Sequence, residues 1–246
     1  VLAIEYKGHK DMVRTLSTDK TGQYMLSGSD DCSVKIWEIN SGRCLKTIQL
    51  ESVVRSVEWC PNAALSLVLI ASGQQAYLIN PDVGDFVVSS KTDALLKVAP
   101  PLDIVVNERI QSTVQWNEPD EPLYDRGIRI ILKHFKEVTQ VTWHGKGDYF
   151  ATVMPEGQNR SVLISQISRR KSQLPFTKAK GLVQCVLFHP TKPFLFVATQ
   201  RHVRIYDLMK QTLMKKLLTN SKWISSMAVH SGGDNLLVGT YDRKML

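Results

Sequence analysis

The chain is short of almost every feature that announces chemistry. Its 246 residues include four cysteines, Cys32, Cys44, Cys60 and Cys185, and none belongs to a CxxC pair. That spacing suits neither a zinc knuckle nor a redox dithiol, and it predicts four reduced, mostly buried thiols. No run approaches the roughly 18 to 20 apolar residues of a membrane span, and the opening Val1-Leu2-Ala3-Ile4-Glu5-Tyr6 lacks the layout of a secretory signal. A soluble protein with no membrane partner is expected. GxSxG, HExxH and glycine-rich phosphate loops are missing, and Ser, His and Asp occur at no spacing that marks a triad. The sequence therefore predicts no enzyme: no catalytic residue, no metal ligand, no cofactor and no small-molecule substrate.

Acids are also scarce, 23 against 31 Lys and Arg, for a net charge of +8. Such a balance favours polyanionic partners, yet it is modest enough to serve solubility alone. With 43% hydrophobic and 22% charged residues the chain can bury a large core, which excludes wholesale disorder.

What is present is repetition. Five segments share one pattern, beginning at Val13 (VRTLSTDKTGQYMLSGSDDCSVKIWEI), Val54 (VRSVEWCPNAALSLVLIASGQQAYLINP), Val138 (VTQVTWHGKGDYFATVMPEGQNRSVLISQI), Val183 (VQCVLFHPTKPFLFVATQRHVRIYDL) and Ile224 (ISSMAVHSGGDNLLVGTYDRKML). Each opens with a short alternating strand, turns at Pro or Gly, continues with a mostly apolar strand and turns again toward a third. Antiparallel β-sheet without helical period is the reading. Fourth strands are expected at 44–48, 128–132 and 213–218. One start-to-start spacing is about double the others, so 82–127 reads as an insertion between the third and fourth strands of the second repeat. It carries Pro100-Pro101, Pro119 and Pro122, the apolar pairs and runs Leu95-Leu96 and 102–106, and a tail at 117–122 expected to be mobile.

The first repeat carries the residues that name a family. Gly8-His9 precedes Trp37-Glu38, with Ser27-Gly28-Ser29-Asp30-Asp31 between them. This resembles a WD40 repeat, one four-stranded blade of a β-propeller. The resemblance implies a hydrogen-bonded chain of His9, Ser27, Asp31 and Trp37, and an all-β propeller with seven blades in the full protein. Residues 1–246 read as a single incomplete propeller domain of about four complete blades and a partial fifth. On that reading 2–7 is an outer strand that closes the ring, and two or more blades, roughly 100 residues, follow the chain. Tyr206-Asp207 is the nearest second copy of the WD dipeptide. His144, His189 and His230 recur at one place in three repeats; successive blades hold such positions apart, so they read as turn histidines that cap strand ends, and Asp30-Asp31 reads as turn chemistry.

Charge is unevenly spread. Between 160 and 222 there are 13 basic residues and one acid, Asp207, whereas the 82–127 insertion has nine acids and four bases. Arg169, Arg170, Lys171, Lys178 and Lys180, with Lys210, Lys215 and Lys216 in the next blade, are candidates for an RNA-binding rim. The alternative is a solvated lysine face that protects sheet edges. Leu95, Leu96 and Trp116 are candidate partner contacts; Trp116 packing against its own blade is the competing reading.

Longer stretches carry a closer resemblance. VTQVTWHGKGDYFATV, QISRRKSQLPF, VLFHPTKPFLFVATQRHVRIYDL, KKLLTNSKWISSMAVHSGGDNLLVGTYDRKML and NPDVGD resemble the C-terminal propeller of the Block of proliferation (Bop) ribosome-biogenesis family, over nearly the whole chain. That resemblance implies a non-catalytic scaffold of large ribosomal subunit assembly and pre-rRNA processing in the nucleus, nucleolus and nucleoplasm. It implies Pescadillo and a second WD-repeat protein (the PeBoW complex) as partners, together with pre-ribosomal particles and rRNA. The alternative function is a generic WD-repeat adaptor that recruits a protein substrate, for instance for ubiquitin ligation, without RNA contact.

Overall fold

A computed structural model describes residues 2–98 and 106–246. Its antiparallel sheets follow one another along the chain. Blade 1 pairs β1 (Val13–Thr18), β2 (Tyr24–Ser29), β3 (Ser33–Glu38) and β4 (Arg43–Gln49) in that order. Blade 2 begins with β5 (Val54–Trp59), β6 (Val68–Ser72) and β7 (Gln75–Ile79). After the helices α1 (Phe86–Lys97) and α2 (Glu108–Gln111), strand β8 (Val114–Asn117) and helix α3 (Glu121–Asp125), it resumes with β9 (Ile128–His134). Strand β9 pairs with β7 on one side and β8 on the other, so this sheet has five strands, ordered β5-β6-β7-β9-β8.

Blade 3 comprises β10 (Gln140–Trp143), β11 (Tyr149–Val153), β12 (Val162–Gln166) and the short β13 (Lys171–Gln173). Blade 4 comprises β14 (Cys185–Phe188), β15 (Phe194–Ala198), β16 (His202–Asp207) and β17 (Thr212–Leu218). Strands β18 (Ile224–Val229) and β19 (Leu236–Thr240) form the last sheet, beside which Gly239 bridges to Met245. The first strand of each blade packs on the first strand of the next.

Hydrophobic burial lies between blades. Leu26, Ile36 and Ile48 of blade 1 meet Val68, Ile70 and Ile79 of blade 2, while Leu67, Leu69 and Leu78 on the other face of blade 2 meet Val141, Phe150 and Leu163 of blade 3. Both faces of a middle strand are therefore covered, and every residue of β6 is buried. This is why such strands read as continuous apolar runs and only the inner strands alternate. Close approach is built in at Gly28, where an added Cβ would lie 2.4 Å from Val54 Cγ1.

The insertion contains a helix that no sequence expectation named: Asp85 caps α1 by accepting from the Val87 N–H at 2.8 Å, and its twelve residues contain neither Gly nor Pro. Three expectations differ from the structure. The 117–122 tail, expected to be mobile, is tied into structure at both ends: Asn117 closes β8, and the Asp120 side chain caps α3 through the Leu123 N–H at 3.1 Å. Residues 2–7 form no strand; the Tyr6 hydroxyl donates to the Ile39 carbonyl at 2.8 Å, and its ring meets Trp37 edge-on. Among the thiols only Cys60 and Cys185 are buried, and Cys44 is exposed. Pro100-Pro101 and most of the 102–106 apolar run lie outside the described residues. No helix among the described residues is long and apolar enough to cross a membrane.

Candidate nucleic-acid and partner interface

In blade 1 the turn after β2 brings four distant side chains into one chain of hydrogen bonds. Trp37 Nε1 donates to Ser27 Oγ at 2.8 Å, and Ser27 Oγ lies 2.7 Å from His9 Nε2. His9 Nδ1 lies 2.9 Å from Asp31 Oδ2. With Nδ1–H donating to the carboxylate, the Ser27 hydroxyl donates to Nε2 and every polar group is satisfied. Burial pulls the Asp31 carboxyl upward, but hydrogen bonds from Ser33, the Lys10 N–H and His9 hold it well below the usual carboxylate range. The chain ties the entering segment to β2 and β3 and exposes no reactive group.

The inner strands are joined by side chains that accept from the next blade's backbone. Thr15 Oγ1 and Ser17 Oγ accept from the Val57 and Trp59 N–H groups at 3.1 and 2.8 Å. Ser56 Oγ and Glu58 Oε1 accept from Val141 and Trp143 at 3.2 and 2.9 Å. Gln140 Oε1 accepts from Val186 at 2.8 Å. Residues two apart on a strand share a face, so alternate positions supply the acceptors. Burial pushes the Glu58 carboxyl up to about 7 despite its bonds to Trp143 and Thr142.

His144, His189 and His230 each bond within their own turn. Their Nδ1 atoms accept from the N–H groups of Lys146, Thr191 and Gly232 at 3.3, 3.1 and 3.2 Å. Among the described residues no group of three or more His, Cys, Asp or Glu is placed to hold a metal ion.

Helix α1 lies against blade 2 through polar contacts. Asn80, fully buried, donates to the Ser89 carbonyl at 3.1 Å and to Asp93 Oδ1 at 2.9 Å, and accepts from Ser66 Oγ at 2.7 Å. Arg129 Nε donates to Asp93 at 2.7 Å while its guanidinium covers the Tyr124 ring at 3.8 Å. The helix leaves Phe86, Val87, Leu95 and Val98 exposed. Leu95 and Leu96 line a groove of about 280 Å³ between α1 and blade 3.

The three candidate partner contacts separate here. Leu95 is exposed, Leu96 packs on the core between blades 2 and 3, and Trp116 is committed across the blade junction. The Trp116 indole donates to Ser172 Oγ at 3.0 Å, with its ring beside Phe150. It packs on the shared core of blades 2 and 3, with its indole hydrogen bond directed to the neighbouring blade.

The basic candidates fall into two groups. Arg169 and Arg170 occupy the turn between β12 and β13, with Lys171 opening β13, and Lys210 sits in the equivalent turn of blade 4. Lys178 and Lys180 lie on the exposed link from blade 3 to blade 4. Lys215 and Lys216 are exposed neighbours on β17, opposite Ile205 and Arg204. Arg170 differs from the rest: its guanidinium donates to Glu118 Oε1 at 3.1 Å and to the Leu96 carbonyl, stapling the last turn of α1 and the residue after β8 to blade 3. Sequence reading passed over Arg201, His202, Arg204 and Trp223, which meet Lys180 around one hollow. Their separation along the chain hid them.

Successive antiparallel sheets of four or, in blade 2, five strands, joined through their first strands and locked in blade 1 by the His9–Ser27–Asp31–Trp37 chain, define a WD40 β-propeller fold of four complete blades and part of a fifth. The family model of the WD domain, G-beta repeat, matches residues 2–38. Over its entire length the chain is 60% identical to the ribosome biogenesis protein BOP1 homolog of Drosophila persimilis, covering 31% of that protein. It is 61% identical over 241 residues to the homolog of Culex quinquefasciatus, spanning 98% of the chain and 28% of the relative. The resemblance to the Bop family drawn from the sequence therefore holds along the whole chain, which spans about a third of the length of these relatives.

Proposed function

We propose that this chain is the propeller portion of a non-catalytic scaffold in ribosome biogenesis. The observation that carries the reading is the 60% identity over the whole chain to a protein named for ribosome biogenesis; the scaffold role is the proposal's own step. The rest of the proposal is finer: large-subunit assembly and pre-rRNA processing in the nucleolus and nucleoplasm, alongside Pescadillo and a second WD-repeat protein. On this reading the 1–246 chain acts as one propeller domain, and 82–127 is the second blade's insertion. The His9–Ser27–Asp31–Trp37 chain is structural. Arg169, Lys171, Lys178, Lys180, Lys210, Lys215 and Lys216 neutralise pre-ribosomal RNA phosphates, a contact that weakens as salt rises.

The test is affinity purification of the complete protein with and without nuclease. Co-purification of large-subunit precursors and their RNA, reduced by charge reversal at Arg169 and Lys171, is the expected result. Purification of protein partners alone, unchanged by nuclease, favours the adaptor reading instead. That second reading has its own support in the exposed apolar side chains Phe86, Val87, Leu95 and Val98 on α1.

A further inference from the structure

Blades 4 and 5 meet over a hollow of about 420 Å³, within the range of small-ligand clefts. The link into blade 4 supplies Lys180 and Gly181, the turn between β15 and β16 supplies Arg201, β16 supplies His202 and Arg204, and the link into blade 5 supplies Trp223. No acidic side chain lines it. Arg204 is only 7% exposed, yet its guanidinium donates to neutral acceptors, the Lys180 carbonyl and Thr199 Oγ1. Neither it nor Lys180 or Arg201 makes an ion pair among the described residues. A buried guanidinium without a counter-charge favours an anion beside it.

The nearby acid is already engaged. Tyr241 N–H donates to the Trp223 carbonyl, which brings the last turn alongside, but Asp242 in that turn accepts from Thr240 Oγ1 at 2.6 Å and pairs with Lys244 at 3.3 Å. Lys216, opposite Arg204 on β17, extends the positive surface outward. Burial and the cations Lys216, Arg204 and Arg201 together push the His202 imidazole below its ordinary value, a mark of uncompensated positive charge.

We propose that this hollow holds a nucleotide of single-stranded RNA, its phosphate on Lys180 and Arg201 and its base stacked on Trp223. Cations alone would serve an acidic peptide equally well. The Trp223 indole, 44% exposed beside them, adds a flat surface that a base exploits and a carboxylate does not. A rigid duplex cannot splay a base into the hollow. The inference rests on the reading that the chain contacts RNA, and it adds to the phosphate contacts proposed at Arg169 and Lys171 a site that takes a base.

The test is fluorescence anisotropy of the complete protein with a labelled oligouridine and with an RNA duplex of equal length. Trp223→Ala is expected to weaken oligouridine binding about tenfold and Trp223→Phe to retain most of it, while duplex binding stays unchanged. Arg201→Glu is expected to lower the slope of log affinity against log salt by about one. Thermal melting of each variant verifies folding, and if Trp223→Ala does not fold, the Phe and Arg201 variants decide. Wild-type binding that neither Trp223→Ala nor Arg201→Glu alters overturns the hollow and leaves the broader RNA reading intact. Absence of any wild-type binding to either RNA overturns both. Displacement of oligouridine by polyglutamate as readily as by unlabelled RNA overturns the hollow in favour of an acidic protein partner.

Discussion

Trp143 and Glu58 hold one another across the junction of blades 2 and 3. The Trp143 backbone N–H donates to Glu58 Oε1 at 2.9 Å, and its indole N–H donates to the Glu58 carbonyl at 3.0 Å. One residue on each inner strand thus satisfies both a backbone and a side-chain donor of its neighbour, and the junction depends on the state of one carboxyl.

That carboxyl makes stability pH-dependent. Its pKa is raised from 4.5 to about 7, so the folded protein binds more protons than the unfolded chain in that window, and stability is lost as pH rises through it. Glu58→Gln keeps the acceptor and removes the titration. It is expected to be more stable than the parent by about 2 kcal/mol at about pH 8, with the gain vanishing toward about pH 4. Urea unfolding at a series of pH values measures this, and a constant difference across the series contradicts it.

His134 supplies the opposite slope. Fully buried between Leu132 O and Thr152 Oγ1, it has its pKa pushed down from 6.5 to about 4, so it contributes stability above 6.5 that is lost as pH falls through that range. Between 4.5 and 6.5 the two residues offset one another. The Glu58→Gln protein should therefore gain stability with rising pH in that interval, and a His134→Gln protein should lose it. Identical pH profiles for the two variants would refute the assignment.

Ser27 is the middle of the blade 1 chain, and both its neighbours depend on it. Ser27→Ala leaves the buried Trp37 indole N–H and His9 Nε2 without partners, at a cost of about 2 kcal/mol. Ser27→Thr keeps the hydroxyl and should recover most of that. Denaturant midpoints of the two variants separate lost hydrogen bonding from altered packing.

Gly233 carries a φ of +80°, and a Cβ there would lie 2.2 Å from His189 Cε1 in the preceding blade. Gly147 repeats the arrangement, with φ +75° and Cys60 Sγ at 2.7 Å. Gly233→Ala combines backbone strain with a clash against a packed ring and is expected to cost at least about 2 kcal/mol. Gly22 has the same left-handed backbone with open space around it, so Gly22→Ala incurs the strain alone and should cost less. Parallel melting curves check the order.

Arg170 and Arg169 are adjacent but should behave differently. Arg169→Glu changes an exposed charge, whereas Arg170→Glu breaks the staple to Glu118 and Leu96 and sets two carboxylates face to face. Limited proteolysis should cut the 82–127 segment faster in the Arg170 variant and at the parent rate in the Arg169 variant. Equal rates would mean that Arg170 is no staple.

Blade order was legible because its signals are local. Alternation at 13–18, a Gly-containing turn, an apolar strand and the His9-to-Trp37 spacing lie within one repeat, and each maps onto one sheet. The α1 helix was missed because its buried residues are Ser89 and Thr92, held by the polar hub at Asn80, so no apolar stripe marks it. Asp85 after Gly84, followed by residues without Gly or Pro, was the available sign.

The sequence by itself determined the inner three strands of each complete blade, their succession along the chain and the imbalance between a basic stretch and an acidic insertion, since all three follow from short-range pattern and composition. Only the tertiary structure decided which charges are free and which are spent. Arg170 and Trp116 are drawn into the junction of blades 2 and 3, while Lys180, Arg201 and Trp223 converge at the junction of blades 4 and 5. The physical reason is that a propeller buries its core between blades. Its interfaces join residues dozens of positions apart, and no local pattern records which partner a side chain will meet.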